Sequence, residues 1–303
     1  MSRFRSLQLF SVLGLALWSC LGCASAVRHR IAILDNHDNS GSGELAIVEA
    51  DGKISWTHPI TGGRDLWVLP NGNVLFSTGF GAKEITPDHR EVFSFTTKNE
   101  VHSCQRIDGG LTLIGECGAP RLIEMAQDGT IAHQIQLTTD TKNPHDHMRM
   151  VRKTAAGTYL VAQNGDRAIC EYDRAGKRLR TLPVPVQVHA IVALPNGNLL
   201  ISGNNGPDGG PALSELDATG KEVWHVGKDD LPGIHFSWMS GVQRLPNGNT
   251  VLVQWLGHKQ AGKGPHMVEI TPDKQVVWTF ADHANFKTVS AVQVLDVPGE
   301  PLR

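Results

Sequence analysis

Three histidines, His102, His147 and His189, stand at one place in successive repeats of the 303-residue chain. Counting back eight residues from a recurring turn glycine gives Arg64 (from Gly72), His102 (from Gly110), His189 (from Gly197) and Ser240 (from Gly248). One turn reads two residues longer, which makes His147, ten residues before Gly157, the corresponding residue of its repeat. Ser290 completes the ring, because Ser290-Ala291-Val292-Gln293-Val294-Leu295 parallels Ser240-Gly241-Val242-Gln243-Arg244-Leu245. Imidazole can ligate a metal, relay a proton or act as a nucleophile. Three imidazoles around an open position suit one catalytic divalent ion. In that version His102, His147 and His189 hold the ion and His235 or Asp146 moves the proton. In a group-transfer version His147 or His189 is the nucleophile, and Arg64 or Arg167 steadies the anion. In a binding version Asp65, His235, Trp238, Asn204 and Lys287 surround a small polar or anionic ligand or a partner. Glu100, His145, Glu116, Asn164, Asn205 and His258 fall at the same end of their repeats. The plainer alternative is a water-facing mouth whose polar side chains hydrogen-bond their neighbours.

The elements that must position these residues are short strands. Leu69-Pro70-Asn71-Gly72-Asn73 recurs at 194–198 and 245–249, each time between alternating apolar runs. Asn-Gly in that setting is a strong hairpin signal, because both residues tolerate positive φ. Degenerate copies are Asp108-Gly109-Gly110 and Ala155-Ala156-Gly157. A second turn follows each hairpin, as in Asp51-Gly52-Lys53, Asp128-Gly129-Thr130 and Thr219-Gly220-Lys221. Four strands every 40–50 residues describe the blade of a propeller. The second turn occurs six times and the first five times, so the last hairpin is completed across the chain ends. The expectation is an all-β fold: one six-bladed β-propeller, four antiparallel strands per blade, closed by the C-terminal strand against the segment 30–60. Trp56, Trp224 and Trp278 recur just after the second turn and read as packing between blades.

The ends and the charge narrow the setting. Arg3 and Arg5, the apolar stretch Leu7–Leu21 and Ala24-Ser25-Ala26 read as a signal peptide over 1–26, leaving 27–303 as the propeller. Cys20 and Cys23 also follow small or apolar residues as in a bacterial lipoprotein box, so a lipid anchor is the alternative to a secreted or periplasmic protein. Loss of Arg3 and Arg5 moves the net charge from −2 to about −4. No basic patch remains, which disfavours nucleic acid as a partner. A monomer is expected. Cys104 and Cys117 lie on the arms of the hairpin at Gly109-Gly110. If that pair centres the turn, Cys104 faces Gly115 and Cys117 is a diagonal neighbour; a disulfide and two buried thiols both stay open.

The Gly-Lys-x-x-Trp and Leu-Pro-Asn-Gly-Asn pieces resemble the quinoprotein-like propeller superfamily with its PQQ-like repeat. Within it, Val242-Gln243-Arg244-Leu245-Pro246-Asn247-Gly248-Asn249-Thr250 is similar to a segment of six-bladed bacterial arylsulfotransferases. That resemblance implies exported propellers carrying sulfate on a histidine, with His147 and His189 in matching kinds of position. It also implies an Asn where this chain has Arg149, and an Arg where it has Gln163-Asn164. The quinone-dependent members have eight blades and longer chains, so no bound quinone is expected. The function expected is binding of a small polar or anionic ligand at a histidine-rich channel mouth, the alternative being a metal-dependent lyase or hydrolase or a sulfotransferase-like enzyme.

Overall fold

The computed structural model describes residues 28–298 and 302–303; the expected signal peptide and both candidate lipobox cysteines lie outside them. Short alternating runs broken by Gly and Asp turns give strands throughout. β1 (Ile31–Asp35), β2 (Gly43–Val48) and β3 (Ile54–Ile60) run antiparallel. β4 (Leu66–Val68), β5 (Val74–Ser77), β6 (Gly79–Ile85), β7 (Glu91–Arg106), β8 (Thr112–Glu116), β9 (Arg121–Met125) and β10 (Ile131–Gln136) form one seven-stranded sheet. Three four-stranded sheets follow. The first is β11 (Val151–Lys153), β12 (Tyr159–Gln163), β13 (Ala168–Tyr172) and β14 (Arg178–Pro183). The second is β15 (Gln187–Ala193), β16 (Leu199–Asn204), β17 (Ala212–Leu216) and β18 (Glu222–Gly227). The third is β19 (Met239–Arg244), β20 (Thr250–Gln254), β21 (Met267–Ile270) and β22 (Val276–Phe280). β23 (Val289–Val294) returns to pair with β1, placing Ile33 opposite Val292. Strands β4, β7, β11, β15, β19 and β23 touch one another in turn, and β23 touches β4 again, so the chain closes on itself as a β-propeller.

The first turn owes its shape to Pro70 and Gly72. Leu69 N–H donates to Asn73 O and Gly72 N–H to Leu69 O, both at 2.8 Å, with Gly72 at φ +83°. Asn71, Asn196 and Asn247 stay at negative φ, unlike the sequence expectation. Pro at the second position presets the turn, and only the following glycine enters the left-handed region. The second asparagine of each copy has a separate job that the sequence did not suggest: Asn73, Asn198 and Asn249 donate to Glu84, Glu215 and Glu269 on the third strands.

Most of the core lies between neighbouring sheets. Leu200 and Leu213 pack with Met239, Val242 and Leu252, while Ile31, Val48 and Val292 pack with Val251 and Val253. Burying one such side chain is worth roughly 1.5–3 kcal/mol. The repeated tryptophans tie sheets together as expected: the indole N–H of Trp56 donates to Pro87 O, and that of Trp224 to Pro272 O. Cys104, Cys117 and Cys170 are free and buried. The register puts Cys104 opposite Ile114, not Gly115, because the turn spans Ile107–Leu111. Cys104 and Cys117 then belong to different core clusters.

Candidate functional site

Four of the inner strands, β7, β15, β19 and β23, enter the ring through an irregularity of pairing. The register of β7 slips between Val101 and Ser103, that of β15 between Val188 and Ala190, and that of β19 between Met239 and Gly241. The β1–β23 pairing slips between Val289 and Ala291. The residues skipped are His102, His189, Ser240 and Ser290. A bulge turns one extra side chain out of the ladder and is a common device beside functional sites. Here four bulges on separate strands aim four ring residues into one cavity of about 150 Å³, which Arg64, His145, Arg149, Met150, Trp238, Trp255 and His258 also line.

Arg149, not His147, holds the ring position of the β11 sheet. Thr154 N–H donates to Thr158 O as Leu69 N–H does to Asn73 O, so this turn is no longer than the others. Eight residues before Gly157 is therefore Arg149. His147 caps the 3-10 turn Pro144–Asp146, its Nδ1 3.0 Å from Cys117 O, and it does not line the cavity. The trio His102, His147 and His189 thus does not converge there. The same uniform count would have found Arg149. Met150 and Trp255 carried no repeat signal of their own, whereas His145 and His258 line the mouth at the end where the sequence reading puts them.

Arg149 organises the cationic side. Its Nη1 donates to His102 Nδ1 at 3.0 Å and to His145 O, and Nη2 donates to Asp146 Oδ1 at 3.2 Å. Guanidinium cannot accept, so His102 Nδ1 is the acceptor and the proton sits on Nε2, 3.6 Å from Glu100 Oε2. The same Oε2 lies 2.6 Å from His145 Nδ1. Burial lowers the pKa of His102 to about 3; Glu100 opposes this, while Arg149 and Arg64 reinforce it. Burial, then the charge of Arg149, holds His189 well below its ordinary value. Burial and Arg149 bring Arg64 down to about 10, still protonated at neutral pH. Burial alone would raise Glu100, but hydrogen bonds with His102 and His145 outweigh it and keep the carboxyl below the ordinary range. At neutral pH the lining therefore carries two guanidiniums, while Glu100 and Asp146 stand outside it.

Among the described residues, Glu100, His102 and His145 are the group whose potential ligand atoms lie within 4.8 Å of one another. The donor set does not fit a cation well. A neutral imidazole has one lone pair, and that of His102 is taken by Arg149. Two guanidiniums beside the group add repulsion.

The other side of the cavity is aromatic. Trp238 meets His189, His258 and Trp255 at interplanar angles of 87°, 70° and 63°. Trp255 is anchored by its indole N–H to Asn36 Oδ1 at 3.1 Å. His258 sits at φ +52°, in the left-handed region where strain gathers at functional sites. Ser290 Oγ is buried with no hydrogen-bond partner among the described residues.

The remaining sequence candidates lie elsewhere. Asp65 is buried below the mouth, bound to Arg152 at 2.8 Å and near Arg303 at 3.6 Å. Asn204 is buried and clamps the backbone of Met239 from both sides. His235 is exposed and pairs with Asp229 at 2.6 Å. Arg167 is exposed, donating to Pro185 O. Lys287 is exposed, and its backbone N–H binds Asp35. None of these five lines the cavity; Arg64, His102, His189 and Trp238 do. A larger open groove of about 480 Å³ runs beside His29 and Trp278 on the outer strands, without convergent bulged residues.

No family model and no curated protein matches the chain. Among solved structures, a protein of unknown function from Bacteroides caccae superposes with a TM-score of 0.77 at 23% identity, covering 91% of this chain and 100% of its own. A streptogramin B lyase reaches 0.57 at 13% identity, covering 86% of each chain. A catalytically inactive histidine-to-alanine variant of virginiamycin B lyase from Staphylococcus aureus, with quinupristin, reaches 0.56 at 12%, covering 84% and 86%. These likenesses establish the propeller fold alone.

Proposed function

We propose that this chain is an exported propeller that binds a small anionic ligand in the cavity at its ring mouth. The observation that carries the reading is the presence of both Arg64 and Arg149 on a lining with no carboxylate among the described residues, with His102 fixed as a neutral acceptor. Guanidinium donors in a partly desolvated pocket favour an anion over a neutral solute. The propeller has six blades in this reading, since the sixteen-residue β7 serves as the outer strand of one and the inner strand of the next. Export rests on the signal-like residues 1–26, and the protein works as a monomer without nucleic acid.

A second reading has a specific observation behind it. Glu100 holds His145 Nδ1 at 2.6 Å, the arrangement that orients an imidazole for acid–base work, and His145 borders the cavity. The similar structures named as lyases make an elimination a reasonable activity to screen. The metal-dependent version is disfavoured by the donor chemistry at His102. The sulfotransferase-like version would rest on His189 as nucleophile, since His147 does not reach the cavity.

The test is titration calorimetry with acetate, sulfate and phosphate against glycerol as a neutral solute. Binding of at least one anion, weakened about tenfold or more in Arg149→Met, supports the reading. Equal response to glycerol and to every anion overturns it.

A further inference from the structure

We propose that the ligand is a single-ring aromatic monocarboxylate, its carboxylate against Arg64 and Arg149 and its ring against Trp238. This rests on the anion reading and deepens it. The geometry, size and charge of the cavity carry it. Trp238 lines the cavity, and its contacts with His189, His258 and Trp255 are all steep, so among the described residues no ring is stacked in parallel on the indole. The wall is also rigid. Trp255 is pinned to Asn36 and lies so close over Gly257 that a Cβ there would stand 2.2 Å from the indole ring. A rigid aromatic wall binds a planar ring with little loss of entropy.

Size and charge narrow the class. A cavity of about 150 Å³ is of the order that accommodates one benzene ring. The charge of Glu100 offsets both guanidiniums, and Asp146 is bound to Arg149. The field is therefore positive at the lining but small in total, which suits one negative charge and disfavours a dianion. Ser290, 4% exposed, adds to the lining a hydroxyl with no hydrogen-bond partner among the described residues.

Affinities of the purified mature protein for benzoate, acetate, benzamide and cyclohexanecarboxylate, read by titration calorimetry, test this directly. Benzoate is expected to bind at least about tenfold more tightly than each of the other three. Trp238→Leu should lose about three- to tenfold in benzoate affinity, Trp238→Phe should recover part of it, and acetate should be indifferent to both. Acetate binding as tightly as benzoate overturns the aromatic class but leaves the anion site standing. Cyclohexanecarboxylate matching benzoate overturns the flat ring alone. Benzamide matching benzoate overturns the anion reading itself. The ligand series on the unaltered protein decides the matter even if the Trp238 variants fail to fold.

Discussion

The guanidinium of Arg149 lies 3.0 Å from Nδ1 of His102 and fixes which tautomer that imidazole adopts. A group that only donates forces its partner to accept. His102 thus presents an N–H, not a lone pair, toward Glu100, and a residue that reads as a metal ligand in the sequence becomes part of an anion site.

The first prediction follows from that contact. Zinc or manganese added to dialysed protein should leave the melting temperature unchanged. Arg149→Met releases Nδ1 to carry the proton and removes a charge, so Nε2 can face an ion alongside Glu100 and His145. That variant should gain a metal-dependent rise in melting temperature. A rise in the unaltered protein would count against the tautomer argument.

Acid stability is the second. His102 has a folded pKa of about 3, below the ordinary 6.5, because burial disfavours its charged form. Between those values the unfolded chain binds the extra proton, so stability is full above about pH 6.5 and falls as pH drops toward 3. Urea midpoints from pH 7 to 4 should decline in the parent and decline less steeply in His102→Gln. Parallel slopes would show that His102 does not titrate on unfolding.

His29 should behave in the opposite sense. Burial lowers its pKa, but Glu269 at 2.9 Å and Asp296 at 3.0 Å outweigh this and raise it above 6.5. The pair's contribution is complete below pH 6.5 and fades as pH rises through the folded value. His29→Gln should therefore cost more stability at pH 6 than at pH 8.5, as read by thermal unfolding at the two pH values.

A fourth prediction separates scaffold from site. Asp65 is buried against Arg152, with Arg303 beyond, and leaving two guanidiniums without it is expensive. Asp65→Asn should lose roughly 3–5 kcal/mol in denaturant unfolding. Ligand affinity of the folded fraction should hardly change, because Asp65 does not line the cavity. A selective loss of affinity at normal stability would restore it to the site.

Gly197 gives a local check. Its φ is +85° and a Cβ would meet nothing within 4 Å, so Gly197→Ala isolates the backbone cost. About 1–2 kcal/mol of destabilisation is expected from chemical denaturation. No loss would mean that the turn relaxes out of the left-handed region.

The repeat structure was legible because it is local. Leu-Pro-Asn-Gly-Asn dictates a turn by the φ of Pro70 and Gly72 alone, and alternating runs on either side dictate strands. Counting from the turn glycines placed Arg64, His102, His189 and Ser240 around one opening, and the match of 290–295 to 240–245 added Ser290, since residues at one register position in equivalent strands end at equal depth. It failed at His147 because a degenerate turn, Ala155-Ala156-Gly157, was read as longer than its hydrogen bonds make it. Trp255 could not be placed by register, since it follows β20 in a loop whose path depends on neighbouring sheets. Protonation and partnership were the work of tertiary structure alone. Whether His102 accepts or donates, and whether Asp65 meets a ligand or Arg152, depends on burial and on charges as distant in the chain as Arg303 is from Asp65, and no spacing rule reaches that far.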